Sequence, residues 1–508
     1  MRPSVSVIVP VYNPGHHIDD CIESLLGQSM PAGALELIFV DDGSTDGTPA
    51  RLDALAAEHP HVKVVHIPNS GWPGRPRNIG IDMARGEFVY FVDNDDWVER
   101  DGIERIHAAA LRDGADIVIG KVVGHDRKVP RGLFRESLHA AQFDSVKFLG
   151  LLTPHKLFRR AMLVEHDIRF PEGRLRLEDH LFVVHAYFHA AAITVLADRP
   201  VYHWVLRDIA RHASAGRLDP EGYYGNVREV LDLVVEHTEP GPWRDRLLTH
   251  WYRGKMLGRV GGRGFARRDD AFNRELVDVI RSLALERFDA KVHARLAFNM
   301  RARSLLLRAG DYDGLLRLAE LESSLRARVR SRVRSDGRRL TLNLRAALRG
   351  LEFARDGERV TWLPPASLRA ALPGLDATDA VFDSQIQVLL HSLRDGTEYT
   401  LPAPTTVMLD DGTRPVLRAA VDIEAATAAA GGPLPDGDWE LRVVVTVAGF
   451  NHARSVRRNG APVVLTVASG RLAARTDRSS MLARYWAAGM GYATGLRFPS
   501  RSIARTPT

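Results

Sequence analysis

Val5–Tyr12 reads VSVIVPVY, an apolar, β-branched run of the kind found in a strand covered on both faces. Working outward, helical spacing follows over about Ile18 to Gly27, and ELIFVDD (Glu36–Asp42) is a second buried strand. Thr48 to Glu58 predicts a helix, VKVVHI (Val62–Ile67) a third strand, Arg77 to Ala84 another helix, and EFVYFVDND (Glu87–Asp95) a fourth strand ending in acid. Strands alternating with helices predict an α/β, Rossmann-like, mostly parallel sheet with helices on both faces. Polar clusters at the carboxyl ends of its strands are then the expected ligand site.

This unit is too small to hold all 508 residues, and a chain of that length divides into several cores. From about Pro220 the β-branched runs give way to helical segments, such as Tyr223–His237 and Arg301–Arg330. After Arg339 come short alternating runs with turn signals at Asp395-Gly396 and Asp411-Gly412. In WELRVVVTV (Trp439–Val447), Trp439, Leu441, Val443, Val445 and Val447 share one face, as an antiparallel β-sandwich requires. The expected division is a catalytic α/β unit over 1–219, a helical linker over 220–335, a sandwich over 336–470 and a basic, partly disordered tail over 471–508.

Composition excludes other classes. Hydrophobic residues make up 45% and charged residues 26%, so the chain is not disordered throughout. Cys21 is the only cysteine, which excludes a disulfide framework and CxxC motifs and fits a reducing compartment. The apolar run Val183–Ala197 is broken by His185 and His189, so no spanning helix is expected, and the N-terminus has no signal-peptide layout. The net charge of +6 is mild, but seven arginines fall between Arg326 and Arg339. That stretch reads either as a solvated helix face or as a contact for a polyanion. No P-loop, G-x-S-x-G elbow or nucleic-acid module is present; Gly261-Gly262-Arg263-Gly264 lacks the lysine and hydroxyl of a phosphate loop.

Four clusters carry chemistry. Asp93-Asn94-Asp95-Asp96 sets three carboxylates at the mouth of a buried strand, fit for Mg2+ or Mn2+ with diphosphate, or else a helix cap before Trp97. Asp41-Asp42-Gly43-Ser44 is turn chemistry, or places a carboxylate against a uracil N–H. In Asn69-Ser70-Gly71-Trp72-Pro73-Gly74-Arg75-Pro76-Arg77-Asn78, prolines stiffen a loop whose arginines suit a diphosphate, and Trp72 either stacks on a ligand or pins the loop. Glu178-Asp179 is a helix cap or holds a general base. His180, His185 and His189 lack the acid of an H-E-x-x-H site.

Taken in order, VSVIVPVYN, DDGSTDGT, NSGWPGRPRN, FVDNDD and LEDHLF resemble the family 2 glycosyltransferases of the GT-A fold, over about residues 4–215. Within that family the chain is most similar to bacterial enzymes that attach N-acetylglucosamine to poly(ribitol phosphate) of wall teichoic acid, through NSGWPGRPRN, LTPHKLFRRAML (Leu152–Leu163) and LEDHLF. The resemblance implies that Pro10, Asp42, Asn69 and Arg77 hold the uridine half of a UDP-sugar. It implies that Asp93 and Asn94-Asp95 form the D-x-D segment, with Asp95 as metal ligand and Asp93 on ribose or metal. Asp179 would be the general base and Glu178 would shape the sugar pocket, while Arg207, His212 and Ser214 belong to a loop that closes over the diphosphate.

The expected function is inverting, Mn2+- or Mg2+-dependent transfer of a sugar, N-acetylglucosamine from UDP-GlcNAc, onto hydroxyls of an anionic cell-wall polymer. The alternatives are a transferase for a neutral capsular or exopolysaccharide acceptor, and a non-catalytic glycan-binding protein on the same scaffold. No nucleic-acid partner is expected, and the location is cytoplasmic, at the inner face of the cell membrane. Two departures stand out. The Q-x-x-R-W motif and spanning helices of processive synthases are missing, and Trp72 stands where the teichoic-acid enzymes are expected to carry glycine. The resemblance also implies a C-terminal sandwich that assembles subunits, although about 170 residues hold one sandwich rather than two.

Overall fold

The computed structural model describes residues 2–206 and 218–477. Its first sheet contains β1 (Val5–Val11), β2 (Leu35–Asp41), β3 (Val62–His66), β4 (Phe88–Phe91), β5 (Trp97–Val98), β6 (Ile117–His125), β7 (Leu138–Ala141), β8 (Leu157–Arg159) and β9 (Ile193–Val205). The strand order is β3-β2-β1-β4-β8-β6-β9-β5, with β7 on β9. β3, β2, β1 and β4 run parallel, β8 enters antiparallel between β4 and β6, and β6 and β9 are parallel again. Every residue of β1 and β2 is buried, as their largely apolar sequences require, and the interior polar exceptions Ser6 and Glu36 bond to each other.

Six helices accompany this sheet: α1 (Ile18–Leu26), α2 (Thr48–Glu58), α3 (Gly74–Met83), α4 (Gly102–Asp113), α5 (Arg160–Glu165) and α6 (Glu178–His189). α3 packs on β1 and β2, and α4 on β6 and β9. The fourth strand stops at Phe91, shorter than its apolar run suggested, so the acidic residues leave the ladder as a loop. Next come α7 (Pro220–Glu236), α8 (Pro242–Trp251), α9 (Gly262–Ala266), α10 (Asp270–Arg287), α11 (Ala290–Ala294), α12 (Phe298–Ala309) and α13 (Tyr312–Ser324). α7 packs directly on α6.

The helical reading of Arg301–Arg330 ends at Ser324, and the arginine stretch is not a helix face. Arg326–Ser335 is a strand, β10, followed by β11 (Arg339–Arg349), β12 (Glu352–Asp356) and β13 (Arg359–Leu363). Its alternation of arginine with Ala327, Val329, Ser331 and Val333 has period two, which suits a half-buried strand and no helix. Then come β14 (Gln385–Ser392), β15 (Glu398–Leu401), β16 (Thr405–Asp410), β17 (Arg414–Glu424), β18 (Gly437–Val447), β19 (Phe450–Ser455), β20 (Arg457–Arg458), β21 (Ala461–Ala468) and β22 (Arg471–Thr476). One antiparallel sheet has the order β10-β11-β17-β16, and the other β15-β14-β18-β21-β20 with β19 and β22 attached. Their facing sides pack together as a sandwich, with Trp439, Leu441, Val443, Val445 and Val447 all buried. β22 lies beyond the expected end of the sandwich, and the remainder of the tail is outside the described residues.

The sandwich docks on the first sheet through β15. Lys121 Nζ donates to the Glu398 carbonyl at 3.0 Å and sits 4.1 Å from the Tyr399 ring centroid. Tyr399 Oη donates to the Asp198 carbonyl at 2.6 Å. Among the described residues no helix is long and apolar enough to cross a membrane.

Candidate active site

The carboxyl ends of β1, β2 and β4 open onto a cavity of about 650 Å3. Pro10, Asp42, Asn69, Arg77 and Asp93 line it, and so do Asn94, Asp95, Glu178 and Asp179. Nine expected site residues, scattered from position 10 to position 179, therefore meet at one place. Arg207, His212 and Ser214 lie outside the described residues.

Asp42 leaves the end of β2 and accepts the Ser70 N–H at 2.8 Å and the Ser70 hydroxyl at 2.9 Å. Asn69 Nδ2 returns a bond to the Asp42 carbonyl at 2.8 Å. Gly43 makes this lock: its φ is +73°, and an added Cβ would lie 2.7 Å from the Asn69 nitrogen. Burial pushes the Asp42 carboxyl above its ordinary range, against the Ser70 bonds. Trp72, only 7% exposed, lines the cavity while its indole N–H finds no partner among the described residues.

The acidic loop after β4 separates into distinct tasks. Asp93 accepts Arg77 Nη2 at 2.9 Å and faces His155 Nε2 at 3.0 Å. Burial opposes ionisation of Asp93, but these contacts outweigh it and hold the carboxyl well below the usual range. Burial lowers His155, with the facing Asp93 carboxylate opposing that shift. Asp96 is scaffold: it is 1% exposed and accepts Tyr202 Oη at 2.6 Å and the Val205 N–H at 2.7 Å. No helix starts at Trp97, which pairs in β5 with β9, so a capping role for this acid cluster does not hold.

Asp93, Asp96 and His155 have ligand atoms within 4.8 Å of one another. Asp93 is engaged by Arg77 and His155 and Asp96 by Tyr202 and Val205, while Asp93 and Asp95 both line the cavity, where carboxylates suit a cation shared with diphosphate. A second group joins His185 and His189 of α6 to His237 beside α7. His180 instead accepts the Trp251 indole N–H at 3.3 Å and fixes α6 to α8.

Leu177, in left-handed conformation at φ +68°, turns the chain sharply into α6 and delivers Glu178 and Asp179 to the cavity. Neither acid caps the helix from the preceding position; Asp179 Oδ1 accepts the next N–H, of His180, at 2.9 Å. Glu178 Oε1 lies 3.4 Å from Arg77 Nη1. Burial, reinforced by the neighbouring Glu178, pushes the Asp179 carboxyl up to about 7, with Lys255 and Arg77 opposing. Such a carboxyl exchanges protons in the neutral range, as a general base must.

Sequence reasoning missed several cavity residues. His155 stood within LTPHKLFRRAML without an assigned role. Lys156 behind it is fully buried, donates to the Thr153 carbonyl and is pushed down to about 7 by burial. Tyr223, Lys255 and Arg259 reach the cavity from the helical region, which is thus part of the site rather than a spacer. Lys255 sits in a single π-turn, Tyr252–Met256, a feature that leaves no sequence signal.

Two family models match the chain: Glycosyl transferase family 2 over residues 6–166, and the Glycosyl transferase TarS linker domain over residues 220–319. The poly(ribitol-phosphate) beta-glucosyltransferase of Bacillus spizizenii is 35% identical over 232 residues, 45% of this chain and 36% of that protein. Glycosyltransferase GlyG of Streptococcus pneumoniae is 31% identical over 216 residues, 39% of this chain and 69% of its own length. The crystal structure of S. aureus TarS 1-349 in complex with UDP-GlcNAc superposes with a TM-score of 0.56 at 27% identity, covering 64% of this chain and 94% of that one. The match to the Bacillus relative thus spans about a third of that protein's length.

Proposed function

The chain belongs to the family 2 glycosyltransferases, and we propose that it transfers a sugar from a UDP-sugar onto hydroxyls of a poly(ribitol phosphate)-type polymer with inversion at the anomeric carbon. The observation that carries this reading is the convergence of nine expected residues on one cavity, with a carboxyl held near neutrality at Asp179. The Bacillus relative's acceptor and the nucleotide sugar of the S. aureus complex support the choice of substrates.

In this reading Asp42 and Asn69, with Pro10, hold the uracil end, while Arg77 fixes the acidic loop against α6. Asp179 takes the proton from an acceptor hydroxyl. The oxygen then bonds to the anomeric carbon from the face opposite UDP, the carbon–phosphate oxygen bond breaks, and its electron pair leaves with the diphosphate. Lys255, Arg176 and Arg259 on the cavity wall stabilise that growing charge. A divalent Mn2+ or Mg2+ held by Asp95 would add Lewis-acid stabilisation of the same leaving group. A single displacement requires no carboxylate nucleophile, so an α-linked donor gives a β-glycoside.

We assign the catalytic unit to residues 1–219, the helical unit to about 220–325, and the sandwich to about 326–477. Under this reading the enzyme works in the cytoplasm, where nucleotide sugars reside, at the inner membrane face, and copies associate through the sandwich. Fractionation and light scattering test these two points. The central test measures UDP release from UDP-GlcNAc and UDP-glucose with Mn2+, with and without unglycosylated poly(ribitol phosphate). Polymer-stimulated release that is lost in Asp179→Asn is the expected result; release unaffected by this substitution would overturn the assignment. A neutral capsular glycan that stimulates release better than the polymer would favour the other acceptor class.

A further inference from the structure

The sandwich carries an arginine face that the catalytic reading leaves unused. In an antiparallel sheet, directly opposed residues share a face, as do alternate residues of one strand. Arg326 opposes Arg349, Arg330 opposes Arg345, and Arg345 in turn opposes Arg418. Arg328, Arg332 and Arg334 complete the same side of β10, all exposed. The other side of these strands, with Leu340, Leu342, Leu344 and Leu417, is buried in the sandwich.

Like charges directly opposed across strands destabilise a sheet, so this arrangement works against the fold. It is also poorly neutralised. Arg345 and Arg414 have carboxylates only at 3.8 Å, Asp410 and Glu352 respectively. Among the described residues, Arg328, Arg330, Arg332, Arg334, Arg349 and Arg418 have no ion-pair partner. Charge on an edge strand protects against edge-to-edge pairing, and β10 is such an edge. That purpose does not account for Arg345, Arg349 and Arg418, which lie on the interior strands β11 and β17. A groove of about 550 Å3 runs along this surface, lined by five arginines, Arg328, Arg330, Arg345, Arg349 and Arg414, against two acids, Glu352 and Asp410.

We propose that this face is a holding site for a phosphodiester-backbone polymer, separate from the cavity where transfer occurs; the proposal rests on the reading of an anionic-polymer acceptor. Guanidinium groups bind phosphate through paired N–H donors, and alternate arginines on a strand recur about every 6.8 Å. A flexible polyol-phosphate chain lying along β10 can therefore meet several in succession. The opposed positions between the arginines are Thr341, Asn343, Ala347, Ala420 and Thr406, and the acids Asp422 and Glu424 stand at one end, opposite Thr341 and Arg339. None is aromatic, so the face offers charge without a stacking platform for nucleic-acid bases. Holding the polymer here keeps its hydroxyls at high local concentration for successive transfers.

The test uses the full chain and a triple variant, Arg328→Gln/Arg330→Gln/Arg345→Gln, with the corresponding triple lysine variant as a charge-retaining control. Probes are labelled poly(ribitol phosphate), inorganic polyphosphate, dextran and phosphatidylglycerol vesicles, titrated over a range of salt. The wild type is expected to bind both polyphosphates with strong salt dependence and to ignore dextran, and the glutamine variant to bind about tenfold or more weakly. Its KM for the polymer rises in step, while donor KM and transfer to a ribitol phosphate dimer stay unchanged, and the lysine variant recovers most binding. Melting temperature unchanged or raised confirms that the glutamine variant folds. Equal polymer binding by wild type and glutamine variant overturns the proposal, as does a wild-type preference for vesicles over polymer. If polyphosphate binding depends on these arginines but no phosphate polymer accepts sugar, the proposed activity fails and the binding face stands.

Discussion

Arg77 Nη2 donates to Asp93 Oδ1 at 2.9 Å, while Nη1 of the same guanidinium lies 3.4 Å from Glu178 Oε1. One buried cation thereby ties the acidic loop after β4 to the first turn of α6, a hundred and one residues further along the chain from Arg77. Removing it strands two carboxylates in a low-dielectric wall. Arg77→Met is expected to lose about 3 kcal/mol of stability, as breaking a buried charge pair does. Arg77→Met/Asp93→Asn should recover part of that stability without recovering transfer. Denaturant titrations of the single and double variants check this, and additive losses would contradict it.

Transfer should rise with pH through the neutral range. Asp179 must be ionised to accept a proton, and its carboxyl is pushed up to about 7. The kcat/KM for polymer therefore climbs from about pH 6 to about pH 8 and then levels. The same shift has a consequence for stability: the folded state favours the protonated form, a contribution present at acid pH and lost as pH rises through about 7. Asp179→Asn should therefore be inactive yet melt higher than the wild type at about pH 8; a lower melting temperature there would contradict the assigned environment.

Metal dependence should pass through Asp95. EDTA is expected to abolish UDP release and Mn2+ to restore it in the wild type. UDP with Mn2+ should raise the melting temperature of the wild type but not of Asp95→Ala, because a ligand stabilises only the state that binds it. Asp96→Asn should instead lower stability even without metal, since its carboxylate holds Tyr202 and Val205. An Asp95→Ala protein that keeps the Mn2+ response would move the metal elsewhere.

The packing of α3 sets where Arg77 stands. A Cβ on Gly74 would lie 2.3 Å from the Pro171 carbonyl, which is backbone and yields little. Gly74→Ala is thus expected to cost about 1–3 kcal/mol and to weaken donor binding by shifting α3. Thermal melts and donor KM measure the two effects; an unchanged melting temperature would show that the loop at Phe170–Pro171 yields freely.

Much of the first sheet was legible from single runs. Val5–Val11 and Leu35–Asp41 carry apolar side chains at nearly every position, and only a strand covered on both faces tolerates that. The acids and glycines after these strands marked the ligand end, because a polar cluster following a buried strand must lie at its mouth. The helix-face reading of the arginine stretch failed because helical segments precede it in sequence, although its own period-two alternation is that of a strand. His155, Lys156 and Lys255 were passed over for a different reason: a lone basic residue in an ordinary helix or turn acquires meaning only from what faces it.

The amino-acid order by itself determined the alternation of elements, the candidate acids and the boundary between apolar and polar faces, since these depend on neighbours within a few positions. Tertiary structure alone decided which acid does what. Asp93, Asp95 and Asp96 are chemically alike and close in sequence, yet Asp93 and Asp95 line the cavity, Asp93 in the grip of Arg77 and His155, while Asp96 is buried against Tyr202. Burial and the charges of distant residues set those differences, and both arise only when the chain has folded.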